Sequence, residues 1–264
     1  MSTQPINIES IKCRCCLSFS SPIFAGELMF SHKVQYYECG SCGYVQTEDP
    51  YWIGEAYARS ITRSDTGILF RNQTNAKMVM ATLALFGNLN GKVVDYAGGY
   101  GILVRLLRDF GVDASWMDRY SDNILAPGFD YKGGEAMLVT AFEAFEHFVN
   151  PEKELLAMLS IAPNVLLSTE IMPHPTPDLD NWWYYGKEHG QHIGFFRTKT
   201  LEKIAKRHGK YFISDGKSYH LIASKSIDLR VWKLVRKLIS MFPWLVTHKL
   251  NSKVWSDHLL NSTN

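Results

Sequence analysis

The chain has 264 residues and a mass of 30.1 kDa, room for one large or two modest domains at about 150 residues each. Hydrophobic residues make up 46% and charged residues 20%, which excludes disorder as the main state. The 28 Lys and Arg against 26 Asp and Glu leave a formal net charge of +2, so a binder that depends on a strong positive field loses weight.

Residues 1–12 read as a loose polar tail. The opening Met1-Ser2-Thr3-Gln4-Pro5 has neither the basic nor the apolar segment of a signal peptide. No run reaches the roughly 20 consecutive apolar residues that span a bilayer. The expected compartment is the cytoplasm.

All five cysteines lie before residue 43. Cytosolic thiols stay reduced, so disulfides explain this clustering poorly. Cys13/Cys16 and Cys39/Cys42 are Cys-x-x-Cys pairs, a spacing that lets a tight turn aim two sulfurs at one ion. The run Lys33–Glu38 reads as a strand entering the second pair, which is the layout of a zinc ribbon over residues 1–48. Iron suits four thiolates as well as zinc does. Cys15 is the odd thiol and competes with Cys16. Four protein ligands close the site, so no catalysis is expected there.

Asp49-Pro50-Tyr51-Trp52 marks the exit from this module. Residues 53–90 look mainly helical, with a turn at Ser64-Asp65-Thr66-Gly67 and a helix over Ala76–Phe86. Residues 49–90 thus form a helical link. A strand–helix alternation follows over 91–225. Strands are expected at Lys92–Tyr96, Ala114–Met117, Ala136–Ala141 and Val165–Thr169. Helices are expected at Ile102–Phe110, Glu152–Ile161 and Lys199–His208, and a closing strand pair at Tyr211–Ser214 and Tyr219–Ser224. This pattern predicts an α/β fold, an open sheet with helices on both faces.

The tail, 226–264, differs. Val231, Leu234, Val235, Leu238, Ile239 and Phe242 share one helical face, and Arg230, Lys233, Arg236 and Lys237 the other. A basic amphipathic helix over 230–242 suits an anionic membrane surface or a partner. The alternative is a helix packed on its own domain with a solvated basic face.

The sharpest constellation is Val93-Val94-Asp95-Tyr96-Ala97-Gly98-Gly99-Tyr100-Gly101. A buried strand enters a glycine turn and then a helix, and the glycines let a ligand approach the backbone. Neither the dinucleotide Gly-x-Gly-x-x-Gly nor a P-loop Gly-Lys-Ser/Thr is present. A second acid, Asp118, ends the next strand, where a carboxylate can accept both hydroxyls of a ribose.

These residues resemble the first motif of the class I S-adenosylmethionine-dependent methyltransferases, Asp-x-Gly-x-Gly-x-Gly. Ala97 replaces the first glycine, a mild change where φ is negative. Thr140–His147 with Asn150-Pro151 is similar to the strand-four motif of one branch of that family. Trp182-Trp183-Tyr184-Tyr185, Glu188-His189-Gly190-Gln191-His192, Glu55-Ala56-Tyr57 and Asp65-Thr66-Gly67 with Arg71-Asn72 are similar to it as well. So is a zinc ribbon ahead of the catalytic domain. The branch holds sugar C-methyltransferases and proteins of polysaccharide-biosynthesis clusters.

The resemblance implies a Rossmann-like methyltransferase sheet behind a small zinc-ribbon module, with S-adenosylmethionine and zinc as cofactors. It places the adenosyl group over Ala97, Gly98, Gly99 and Gly101, and the ribose on Asp118 beside Arg119. Asp95 then holds the amino-acid part through water or backbone groups, and Arg71 is the nearest cation for its carboxylate. Phe129, after a third strand, is a candidate for the adenine face, against a plain core role. Thr140, Ala141 and Phe142 fall beside the cofactor on the fourth strand.

Methyl transfer is an in-line displacement from a sulfonium, so the protein has to position the acceptor and remove a proton. A base titrating near neutrality points to histidine. His147 follows the fourth strand; His192 sits in the aromatic insertion 173–198 with Glu188 and His189. His189-x-x-His192 could also hold a second metal, although spacing fixes no third ligand. The rigid aromatics of the insertion suit a wall for a sugar ring or a cover for the sheet edge.

The implied acceptor is a small molecule of sugar type, methylated at carbon or oxygen. An RNA methyltransferase using the ribbon to grip nucleic acid is the second reading. Arg14 and Lys33 are nearly the only cations in 13–48, and the Asn/Asp-Pro-Pro-Tyr motif of base amino methylation is missing. A non-catalytic scaffold on the same fold is the third; Ala97 favours it and the intact Asp95, Gly99, Gly101 and Asp118 oppose it.

Overall fold

The computed structural model describes residues 9–58 and 65–262. Residues 1–8 of the expected tail and Ser64 of the expected turn lie outside the described residues. The elements in chain order are β1 (Ile11–Lys12), β2 (Phe19–Leu28), β3 (His32–Cys39), β4 (Val45–Thr47), α1 (Ile53–Ala56), α2 (Ile68–Leu85), β5 (Val93–Tyr96), α3 (Ile102–Asp109), β6 (Ala114–Met117), β7 (Leu138–Phe142), α4 (Pro151–Ile161), β8 (Val165–Ser168), β9 (Gly194–Phe195), α5 (Thr198–Arg207), β10 (Tyr211–Ser214), β11 (Tyr219–Ala223), α6 (Leu229–Met241), α7 (Trp244–Thr247) and α8 (Val254–Ser262).

The larger sheet has the order β6-β5-β7-β8-β11-β10. The first four strands are parallel, and β11 and β10 close the sheet as an antiparallel pair. The Val93-Val94 and Leu138-Val139 side chains are wholly buried because helices cover both faces, so these strands read as apolar runs rather than alternations. Asn150 caps α4 by accepting the Lys153 N–H, with Pro151 at the first helical position, where no N–H is needed.

The strand expected before Phe129 does not form. Among the described residues this stretch makes only a parallel bridge between Trp116 and Asp130. Pro127, Gly128, Gly133 and Gly134 crowd it, and such residues donate or pack poorly in a ladder. The helix expected from Ala76 begins at Ile68, where Gly67 is the nearest break upstream.

The smaller sheet has the order β1-β2-β3-β4-β9. Its last strand comes from far along the chain: Val45 and Gln46 pair with Phe195 and Gly194. The cysteine-bearing strands and the aromatic segment therefore share a sheet and a core, in which Tyr36, Val45, Trp52, Tyr184, Tyr185 and Phe195 pack together. Arg14 adds to the join, donating to the Thr47 and Glu48 carbonyls at 3.0 and 2.7 Å.

The tail helix α6 packs on α2 through Trp232 and Ile239, both buried. Val231, Leu234, Leu238 and Phe242 of the expected apolar face stay exposed. Arg236, placed by sequence on the solvated basic face, instead pairs with Asp215 at 2.9 Å and lies over the Trp232 and Tyr219 rings. No helix among the described residues is long and apolar enough to cross a membrane.

Candidate active site

A cavity of about 1060 Å³ opens at the carboxyl ends of β5, β6 and β7. Ligands gather at this edge in open parallel sheets because the strand-to-helix turns there are free to vary. At one end lies the glycine turn. Gly101 has φ +82° and starts α3, and a Cβ there would meet the Asn123 side chain at 2.6 Å. A Cβ on Gly98 would meet Trp116 at 2.7 Å, whereas one on Gly99 would meet nothing within 4 Å. The Gly99 backbone, which lines the cavity, is thus bare toward a ligand. Asp118 holds the turn: its Oδ2 accepts the Gly99 N–H at 2.9 Å, and its Oδ1 accepts the Tyr120 and Ser121 N–H groups at 2.7 and 3.0 Å.

The other end of the cavity is lined by His147, Trp183, Tyr184, Glu188, His189 and His192. Ala97 follows β5 with φ +62° and Glu143 follows β7 with φ +48°. Left-handed backbone at non-glycine residues costs about 1–3 kcal/mol each and collects at functional sites. The Glu143 Oε1 accepts the Ser168 hydroxyl at 2.5 Å. Glu146 is fully buried, and its Oε1 accepts the Tyr184 hydroxyl at 2.6 Å. Burial, with the Glu143 charge nearby, pushes the Glu146 carboxyl up to about 8.

A family profile described as a methyltransferase domain matches residues 70–213, more than half of the chain. The chain belongs to this family: it is a class I S-adenosylmethionine-dependent methyltransferase. Solved structures similar to it include magnesium protoporphyrin IX methyltransferase of Synechocystis PCC 6803 with bound SAH, at 16% identity and TM-score 0.45, covering 65% of this chain and 92% of that one. Human N-acetylserotonin methyltransferase in complex with SAM is similar at 14% identity and TM-score 0.42, covering 62% and 57%. The kinase-methyltransferase WbdD is similar at 15% identity and TM-score 0.40, covering 68% and 43%. Likenesses this loose carry no further argument. No curated protein matches the chain.

In this methyltransferase the cavity gathers Ala97, Gly99, Asp118, Arg119, Arg71, His147, Glu188, His189 and His192. Arg71 reaches it already paired with Asp65 at 2.6 Å. Arg119 bonds Glu154 at 3.2 Å. Asp95, Gly98, Gly101, Thr140, Ala141 and Phe142 stand behind or beside the wall. Asp95 is buried and accepts the Thr140 hydroxyl at 2.7 Å, and burial with the Asp118 charge raises it to about 7. Phe129 does not line the cavity. Its ring packs toward the α2–α3 core with the Arg108 guanidinium 3.6 Å from the ring centre, the plain core placement. Ala97 is not the mild replacement expected for negative φ, since its φ is positive.

Nor do the rim histidines titrate near neutrality. Burial lowers His147 to about 4, and burial with the neighbouring His147 and His189 takes His192 well below its ordinary value. Both are neutral at physiological pH. Their Nδ1 atoms face the Gln191 and Tyr184 carbonyls at 3.1 and 2.6 Å, so Nδ1 carries the proton and Nε2 the lone pair. His189 is the reverse: its Nδ1 accepts the Gln191 N–H at 3.1 Å, so its Nε2 carries the proton. In the sequence Glu143 and Glu146 stand out only within the family motif, and Tyr184 only there and as one of the insertion's aromatics. Their direct signal is slight: Glu143 is the first residue after a buried strand.

The cysteine cluster lies apart from the cavity. One sulfur each from Cys13, Cys16, Cys39 and Cys42 lies within 4.8 Å of the others. Cys13–Cys42 and Cys16–Cys39 are 3.6 and 3.5 Å apart, close to the roughly 3.8 Å edge of a tetrahedron with ~2.3 Å zinc–sulfur bonds. The donor set and spacing fit zinc. The Leu17 and Gly43 N–H groups return to the Cys13 and Cys39 carbonyls, and both residues have positive φ, so the two turns are alike. Cys15 is left out as a ligand. It is buried, and its N–H donates to Cys13 Sγ at 3.4 Å.

Proposed function

We propose that this methyltransferase transfers the methyl group of S-adenosylmethionine to a small, sugar-type acceptor at carbon or oxygen, and that zinc on the four cysteines is structural. The observation that supports this most is one cavity with two unlike ends. A bare glycine turn and an N–H-anchored carboxylate suit the adenosyl group, and a wall of Trp183, Tyr184 and histidines suits a hydroxylated ring. A volume of about 1060 Å³ has room for both. Arg119 and the Arg71–Asp65 pair supply charged groups for the amino-acid end of the cofactor. A carboxylate has about four acceptor positions, so Asp118 can take a ribose hydroxyl beyond its three N–H groups.

The bound cofactor supplies the electrophilic methyl. The chain aligns the acceptor, excludes water and accepts a proton. A histidine base in this wall is His147 or His192, acting through Nε2; a protonated Nε2 makes His189 a donor to the acceptor. Arg14, one of the few ribbon cations, is spent on backbone carbonyls, which weakens the RNA reading further.

The test is calorimetric titration of the zinc-replete protein with S-adenosylmethionine, then methyl-transfer assays with nucleotide-linked sugars. Micromolar cofactor binding and transfer to a sugar support the reading. A folded protein that binds no cofactor overturns it.

A further inference from the structure

Glu146, His147 and His192 each offer one ligand atom within 4.8 Å of the other two. Glu146 and His147 sit on the short 3-10 turn Phe145–His147 after β7, and His192 on the segment that leads into β9. Two histidines and one carboxylate converging in this way form a donor set for a divalent first-row transition ion.

Three further features prepare the cluster for a ligand. Glu146 is fully buried, and its Oε2 has no hydrogen-bond partner among the described residues. An orphaned buried carboxylate oxygen is costly unless something fills it. Both imidazoles are oriented through Nδ1 by backbone carbonyls, which leaves Nε2 as the donor atom; metal-binding histidines are held in this way. Tyr184 serves two of the three ligands, donating its hydroxyl to Glu146 and offering its carbonyl to His192.

We propose that Glu146, His147 and His192 form a second metal site, distinct from the four cysteines, which binds a zinc-class divalent ion at the acceptor end of the cavity. His147 and His192 line that cavity, so the ion's open positions face the acceptor and take one of its oxygens. The role in acceptor binding rests on the methyl-transfer reading; the site itself does not. With both Nε2 atoms on the ion, the ion takes the place of the His147 or His192 base proposed above. The ion would lower the pKa of the acceptor oxygen it holds, so that its proton passes to water in the open cavity before the methyl group is transferred.

The test is titration of full-length, zinc-loaded protein with cobalt(II), following metal content by mass spectrometry and the visible spectrum, with cofactor affinity measured in parallel. The expected result is a second equivalent of metal whose spectrum lacks thiolate-to-cobalt charge transfer. His192→Gln and Glu146→Gln should each lose it while keeping the thiolate-bound equivalent. A single equivalent in folded wild-type protein overturns the site, as does a second one that both variants retain. If the variants fail to fold, the wild-type stoichiometry and spectrum decide alone. Two equivalents in a protein that binds no S-adenosylmethionine would leave the site standing and remove the methyl-transfer reading.

Discussion

Asp118 grips Gly99 by its backbone: the carboxylate at the end of one strand holds the N–H in the middle of the turn that leaves its neighbour. In the proposed cofactor site the same oxygens would serve two jobs, shaping the turn and meeting the ribose. Asp118→Ala should therefore weaken S-adenosylmethionine binding by tenfold or more, since hydrogen bonds to a charged group contribute about 1.5–3 kcal/mol. Asp118→Asn should lose less because one oxygen acceptor remains. Calorimetry on the three proteins checks this, and equal affinity in wild type and Asp118→Ala would place the cofactor elsewhere.

Asp95 titrates at about 7 in the fold, against about 4 in an unfolded chain. Its raised value means the folded state holds the proton more tightly, so ionisation costs stability. That cost grows as pH rises from about 4 to about 7, at up to about 1.4 kcal/mol per unit, and is constant above. Asp95→Asn keeps an oxygen for the Thr140 hydroxyl and removes the cost. The variant's melting temperature should match wild type near pH 4 and exceed it increasingly up to pH 7. A gap that does not change with pH would contradict the assignment.

Removing a cysteine ligand should be felt beyond the ribbon, because β4 pairs with β9. Where metal binding is coupled to folding, its loss loosens what the site holds. Cys39→Ser should lose the thiolate-bound metal and speed amide exchange in both 11–47 and 182–196, while β5 to β8 stay protected. Faster exchange confined to 11–47 would show that the two segments hold independently.

Asp257 on α8 is buried and takes Arg108 through two bonds, of 2.7 and 2.8 Å, and Arg105 through one of 2.9 Å. Asp257→Ala leaves the buried Arg108 guanidinium with only the exposed Asp113 carboxylate at 3.3 Å and the Ala114 carbonyl, at a cost of up to about 3–5 kcal/mol. Urea unfolding should report a loss of that size, with cofactor affinity unchanged in the protein that remains folded. A change under 1 kcal/mol, roughly what a surface pair contributes, would show that Arg108 finds water instead.

Periodicity and composition carried the local elements. Short apolar runs located β5, β6 and β8 almost to the residue, and the Cys-x-x-Cys spacing located the four clustered cysteines. The glycine turn and the carboxylate after β6 were legible as a pattern, because a close backbone approach needs glycine; that Asp95 turns inward onto Thr140 was not. What the chain's order could not show was convergence. The pairing of Val45 with Phe195 joins positions far apart in sequence, and it brings the aromatic segment over the sheet edge. Glu146 and His192 meet only because that segment folds back. The orphaned oxygen and the depressed histidines follow from burial, a property of the assembled fold and not of any window of sequence. The tail helix makes the same point: packed on α2 it turns Trp232 and Ile239 inward and lays Arg236 over Trp232, while most of the expected apolar stripe stays exposed.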